Sequence, residues 1–253
     1  MLNAQIIEQL KKLNLNMFMQ ELEEQEKNNG YKDFSFSDRL SLLLQREILE
    51  RENKNIKRKI TNAKLKQKAS LENIKTSVER GLDKTALQSL STCEWLKRKQ
   101  NIIITGATGV GKSFLASALA EKACRSGFQA RYFRYQSLLS ELTFSVADGS
   151  FKNYLLKLEK LNLIVIDDWA LHSITELEQK YLFELIEARS ENSSTIFVSQ
   201  TPIASWHSLM PNSTIADAIL DRIVHTAIRI ELKGESMRKK SDHKIDEETA
   251  IMK

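Results

Sequence analysis

Residues Gly106, Ala107, Thr108, Gly109, Val110, Gly111, Lys112 and Ser113 follow the spacing G-x-x-x-x-G-K-[ST], a combination suited to gripping phosphates. Glycines let successive backbone N–H groups turn inward around an anion, and a helix starting at the loop's end adds the positive end of its dipole. The Lys112 ammonium would pair with the outer phosphates of a nucleoside triphosphate, and the Ser113 hydroxyl would be a ligand of Mg2+. The setting agrees. "NIIIT" before the loop reads as a buried strand, and "FLASALAEKACRSG" after it as a helix closed by glycine. A tight strand-to-helix turn with a chance Lys-Ser accounts for less of this pattern.

Asp167 and Asp168 end the apolar run "LIVIDDW". At the carboxyl end of a buried strand, one acid can hold Mg2+ and its neighbour can polarise the attacking water. Asp167 is assigned to the metal and Asp168 to the water; the alternative is a pair of acids capping the next helix. Gln200, beside Ser199 at the end of "TIFVSQ", could sense the terminal phosphate or orient water, or be only a loop residue ahead of Pro202. Arg222, in "IADAILDRIVHTA", and Arg238, in "GESMRKK", could neutralise charge in phosphoryl transfer, in cis or from a neighbouring subunit. Each could equally be a surface salt-bridge former.

Such residues need a sheet to carry them. From Asn101 the chain alternates short β-like runs with helical stretches: 101–105, 130–135, 161–167, 194–199 and 227–232. The first, third and fourth runs are continuously apolar, which implies strands covered on both faces and hence a parallel sheet. The expected fold is α/β, a three-layer P-loop domain over residues 101–240, followed by a charged tail at 241–253. Residues 1–68 contain no β-like run and are expected to form a small all-α domain. Leu49, Ile56, Ile60 and Ala63 should make a packing stripe there, opposite Arg51, Lys54 and Arg58. Residues 69–100 show no clear period and are expected to be a linker.

Charge is unevenly placed. The 253 residues carry a net +5, but positions 51–68 hold eight Lys/Arg against one acid, Glu52, for a local +7, which leaves about −2 for the rest. A local anionic partner is the consequence, with Arg51, Lys54, Lys57, Arg58 and Lys59 as candidate contacts to a DNA backbone; a solvated basic face is the competing reading. Nothing suggests base-edge readout, so sequence preference should be weak. Cys93 and Cys124 fit no metal or redox spacing, and His172, His207, His225 and His243 are dispersed. With a polar N-terminus and no apolar run near 18 residues, the expectation is a cytoplasmic protein without a membrane partner.

The order "GATGVGKS", "LIVIDDW", "TIFVSQTP" and "WHSLMPNSTIADAILDRIVHTAIRIELKGESMRK" resembles the AAA+ ATPases of the IstB transposition-helper group, relatives of the DnaC and DnaI helicase loaders. The N-terminal "LKKLNLNMFMQELEEQ" and "SFSDRLSLLLQREILERENKNIKRKITNAKL" resemble that group's helical domain, so the similarity spans nearly residues 1–240. It implies ATP and Mg2+ as cofactors, Lys112 and Ser113 as the Walker A pair, and Asp167 and Asp168 as the Walker B acids. Gln200 would be the first sensor, Arg222 the finger reaching a neighbour's site, and Arg238 the second sensor. Two departures stand out: Asp168 where many AAA+ proteins have Glu, implying slow hydrolysis, and Gln200 where loader relatives often carry Asn. The implied function is ATP-dependent self-assembly on duplex DNA and recruitment of a transposase. A replicative helicase loader and a small-molecule P-loop kinase are the alternatives. The kinase has no use for an arginine acting across subunits, and residues 1–92 lack the cysteine-based zinc site of several loaders.

Overall fold

A buried carboxylate organises the N-terminal helices. The computed structural model describes residues 3–237, and its contacts divide the chain after Arg58. The first unit holds α1 (Ala4–Lys12), α2 (Asn16–Lys27) and most of α3 (Phe36–Ala63). The residue preceding α2, Leu15, has no side chain that can cap its free N–H groups. Glu47 of α3 does so from a distance, its Oε2 accepting the N–H groups of Met17 and Phe18 at 3.1 and 3.2 Å. Arg51 Nε donates to the other oxygen at 2.8 Å. Burial works to raise the Glu47 pKa, and the hydrogen bonds from Arg51, Phe18 and Met17 outweigh it, holding the carboxyl below its ordinary range. The expected packing stripe is only partly realised: Ala63 is buried and Ile56 and Ile60 are half-buried, but Leu49 is 49% exposed. A helical period fixes which residues share a face; what covers that face is decided elsewhere in the fold.

The second unit begins with the end of α3, which stops where Lys64 turns left-handed. Residues 69–100, expected to be a linker, instead bury Leu71, Leu82, Leu90, Trp95 and Leu96 in the core and carry two short helices, α4 (Lys84–Ser91) and α5 (Glu94–Lys97). Five parallel strands follow: β1 (Ile102–Gly106), β2 (Ala130–Arg134), β3 (Leu163–Asp167), β4 (Ser194–Val198) and β5 (Ile228–Leu232). They lie in the order β2-β3-β4-β1-β5. Successive strand residues point to opposite faces, so each apolar run is shared between two cores. Ile102, Ile104, Val165, Ile196 and Val198 join the core on one face, with α6 (Lys112–Arg125) and residues 69–96. Ile103, Ile164, Ile166 and Phe197 join the other, with α7 (Tyr135–Ala147), α8 (Phe151–Glu159), α9 (Glu176–Arg189) and α10 (Ser213–Val224). That two-sided burial is the three-layer α/β P-loop architecture anticipated above.

The two edge strands differ from the central ones. β5 alternates, with Arg229 and Glu231 exposed between buried Ile230 and Leu232, and β2 carries Arg131 and Arg134. At the far side of the sheet Arg189 is 3% exposed, and its guanidinium donates to the carbonyls of Leu158 (2.6 Å), Leu161 (3.0 Å) and Ser194 (2.6 Å) and to Thr195 Oγ1 (3.3 Å). It thereby ties the ends of α8 and α9 to the start of β4. Arg189→Leu strands three carbonyls in the interior, so a loss of about 3–5 kcal/mol is expected in urea unfolding. A loss under about 1 kcal/mol would show that water takes over the guanidinium's role. Among the described residues no helix is long and apolar enough to cross a membrane. Arg238 and the tail at 241–253 lie outside the described residues.

Candidate nucleotide site

The loop between β1 and α6 can form only because its glycines leave room. Gly106, Gly109 and Gly111 have φ of 141°, 85° and 98°, a region that side chains disfavour. A Cβ on Gly106 would also meet the Leu232 carbonyl oxygen at 2.2 Å, and one on Gly111 would meet Arg80 Nη2 at 2.8 Å. The loop delivers Lys112 to the first turn of α6, where its ammonium donates to the carbonyls of Gly106 and Ala107, both at 2.8 Å. At its other end α6 closes on Gly127 (φ 93°), with Gly127 N–H on the Cys124 carbonyl and Phe128 N–H on that of Ala123, the paired bonds of a Schellman motif.

β3 places Asp167 opposite this loop. The carboxylate is 1% exposed, and three donors converge on its Oδ2: Ser113 Oγ at 2.8 Å, Lys66 Nζ at 2.7 Å and Tyr132 OH at 2.5 Å. Oδ1 accepts the N–H of Asp168 at 3.0 Å. Burial acts to raise the Asp167 pKa, but the hydrogen bonds from Lys66, Tyr132 and Ser113 win, and the group sits below its ordinary value. Burial first, and then the Asp167 charge, push the Tyr132 phenol strongly upward, so it stays a neutral donor. Asp168 takes a left-handed φ of 60°, held by its own N–H on Asp167 and by Trp169 N–H on the Val198 carbonyl at 2.8 Å. Behind it Trp169 is fully buried, with Tyr135 and Phe197 at 4.8 Å and Trp206 at 5.7 Å between ring centroids. This rigid apolar backing fixes the turn that aims Asp168. Gln200, at the end of β4 and so beside β1, accepts from the Thr108 hydroxyl of the loop.

Lys112, Ser113, Asp167, Asp168 and Gln200 thus line one cleft of about 570 Å3. Its donors are hard oxygens, a hydroxyl and carboxylates, which is the chemistry Mg2+ prefers, and a nucleotide's phosphates would supply the remaining ligands. A cation already stands there, the Lys66 ammonium, which shows that the position accepts positive charge. The loop's left-handed glycines and the first turn of α6 make the adjoining anion cradle. One wall comes from residues expected to be a linker: Asn73, Ile74, Lys75, Arg80 and Leu82. Arg80 ties this wall to the loop, its guanidinium donating to the carbonyls of Val110 (2.8 Å) and Lys75 (2.6 Å).

Arg222 is not in this cleft. The Asn101 amide, at the opposite end of β1 from Gly106, donates to the Arg222 carbonyl at 3.2 Å, and the strand between spans about 16 Å at 3.3 Å per residue. The guanidinium pairs with Glu187, donates to the Ala218 carbonyl at 2.9 Å and lies over the Phe183 ring at 5.3 Å. The expected DNA contacts are exposed or half-buried on α3 and mostly engaged locally. Arg51 pairs with Glu47 (2.8 Å), Lys54 with Glu50 (3.5 Å) and Arg58 with Asn55 (3.2 Å), while Lys59 donates to the Gly127 carbonyl. The Lys54 and Arg58 contacts are exposed and exchange readily for a phosphate, whereas Arg51 has a buried partner in Glu47. Two site residues were not among the sequence candidates. Tyr132 sits inside a strand, where nothing local marks it, and Lys66 was counted only as part of the basic run.

Residues 8–245 match the family described as "IstB-like ATP binding protein". The insertion sequence ATP-binding protein y4uH of Sinorhizobium fredii is 40% identical over 212 residues, covering 84% of this chain and 86% of that one. The ATP-binding protein of insertion sequence IS1162 from Pseudomonas fluorescens is 37% identical over 203 residues, covering 80% and 88%. Among solved structures, the DnaC helicase loader aligns with a TM-score of 0.54 over 65% of this chain and 97% of its own, at 19% identity. DnaI aligns with a TM-score of 0.55 over 66% and 92%, at 20% identity. At these identities the two structures show a shared fold alone.

Proposed function

The chain belongs to the IstB-like ATP-binding protein family, and from that premise we propose that it is a Mg2+-dependent ATPase that assembles on duplex DNA and recruits a transposase. The observation that carries the reading is the convergence of Ser113 and Asp167 on one point beside Lys112, at the ends of two strands in one parallel sheet. In this reading Lys112 leaves the loop carbonyls for the outer phosphates. Ser113 and Asp167 hold Mg2+, which supplies neutralisation of the charge that develops on the phosphoryl oxygens. Asp168 orients the attacking water, and Gln200 reads the terminal phosphate through a position already bonded to the loop. Asp168 is one methylene shorter than Glu, which favours slow hydrolysis. Arg222, remote from its own cleft, acts in a neighbour's. The role of Arg238 as a second sensor rests on the resemblance of "GESMRK" alone. Relatives named for insertion sequences support a transposase partner over a helicase, since they share 37–40% of residues whereas the loaders share the fold only.

Assembly is the testable core of this reading. Sedimentation of the full chain with a nonhydrolysable ATP analogue and duplex DNA should show a nucleotide-dependent oligomer. Its DNA affinity should fall with salt at a log–log slope of about −4 to −5 if about five phosphates are engaged. A protein that stays monomeric with both ligands removes the assembly claim. A slope unchanged by neutralising Arg51, Lys54 and Arg58 places DNA on another surface.

A further inference from the structure

Asp167 Oδ2 is the oxygen a divalent cation must take, and a lysine holds it. Lys66 Nζ lies 2.7 Å from Oδ2 and 3.4 Å from Ser113 Oγ, so one ammonium spans the two side chains that the ATPase reading gives to Mg2+. It comes from 101 residues away in sequence, on a stretch with neither helix nor strand between the end of α3 and the turn at 71–73. Its partner carboxylate is 1% exposed, whereas the Lys66 side chain is 29% exposed. The acid is fixed and the lysine can leave without unwinding any element.

Two cations cannot share this point. Unit charges a few ångströms apart in a partly buried site repel by several kcal/mol. An Asp167 without any cation would equally be a buried charge balanced only by the neutral donors Ser113, Tyr132 and the Asp168 N–H. We propose that Lys66 is a resident cation that holds the metal position of the nucleotide-free protein and is displaced when Mg2+-nucleotide binds, so that site occupancy sets the conformation of residues 64–70. The consequence is an exchange of one positive charge for another, which keeps Asp167 neutralised in both states. Mg2+ enters against a competitor, and the segment carrying Lys64, Lys66 and Lys68 is freed as it does so. This inference rests on the ATPase reading but concerns a residue that reading does not use.

The test is a Mg2+ titration of fluorescent ATP-analogue binding to the full chain, with parallel binding measured in EDTA. Lys66→Met keeps the aliphatic stem and removes the charge. It should lower the Mg2+ midpoint about tenfold, equivalent to ~1.4 kcal/mol, without tightening binding in EDTA, where Asp167 is left with no cation. Lys66→Arg, which retains a cation, should stay near the wild type and guards against a folding defect in the first variant. In the wild type, trypsin cleavage after Lys64, Lys66 or Lys68 should accelerate several-fold with Mg2+-nucleotide and not with nucleotide in EDTA. A midpoint that does not move overturns the proposal, and a raised one overturns it by making Lys66 a phosphate ligand. Wild-type protein that binds no nucleotide in either buffer removes the ATPase reading and the inference together. Normal binding with an unmoved midpoint removes the inference alone.

Discussion

Lys112→Ala should weaken ATP binding by about 100-fold or more, roughly 3 kcal/mol, as two charge-assisted hydrogen bonds to phosphate are lost. The wild-type lysine is buried and held by the Gly106 and Ala107 carbonyls, so its ammonium is already aimed along the loop before nucleotide arrives. On binding it exchanges these carbonyls for phosphate oxygens close by, and the charge–charge contact is the stronger of the two. The same two carbonyls bring a cost in stability, so a thermal unfolding curve belongs beside the titration. Isothermal calorimetry is the direct measurement. An affinity within about threefold of the wild type, in a variant that still folds, would mean that the loop does not hold phosphates.

Arg222→Ala should leave ATP affinity intact and lower kcat by about 1,000-fold, the usual worth of an arginine that meets the transferring phosphoryl. The distance along β1 decides how this must come about. Roughly 16 Å of strand separates the Asn101 end, where Arg222 is anchored, from the phosphate loop, more than one side chain can cross. In the proposed reading its action therefore falls on another copy's site. Mixing provides a sharp check: Arg222→Ala keeps a complete cleft and Lys112→Ala keeps a complete arginine. The two inactive variants together should regain hydrolysis at the interfaces where those halves meet. Mixtures that remain inactive, while each variant still assembles, would reduce Arg222 to the ion pair with Glu187 and the cover over Phe183. Glu187→Ala separates these roles, since releasing the pair should not lower kcat if the arginine works across subunits.

Local features were readable from the sequence, and distant ones were not. The loop from Gly106 to Ser113 is contiguous, and its demands for left-handed glycines and a following helix are written within one stretch. The apolar runs of β1, β3 and β4 announce burial on both faces because nothing polar interrupts them, and all three lie within two residues of the expected spans. Residues 69–100 defeated the same method. Leu82, Leu90 and Trp95 are spaced by turns and short helices, so their shared burial against α6 has no period to reveal it. Lys66 and Tyr132 reach Asp167 across 101 and 35 residues, and only the fold brings them there. Leu49 failed in the opposite direction. Its face was correctly grouped, but grouping says nothing about whether a neighbour arrives to cover it.

The charges on the outermost strands bear on how copies of this chain can meet. An open sheet margin is a template for adding strands from another molecule, and repeated addition gives insoluble fibrils. Arg131 and Arg134 along one margin, with Arg229 and Glu231 along the other, discourage such zippering, whereas β1 and β4 at the centre carry no charged residue at all. In the proposed assembly of copies side by side on DNA, these charges favour encounters between neighbours through helices and loops, where contact can be undone.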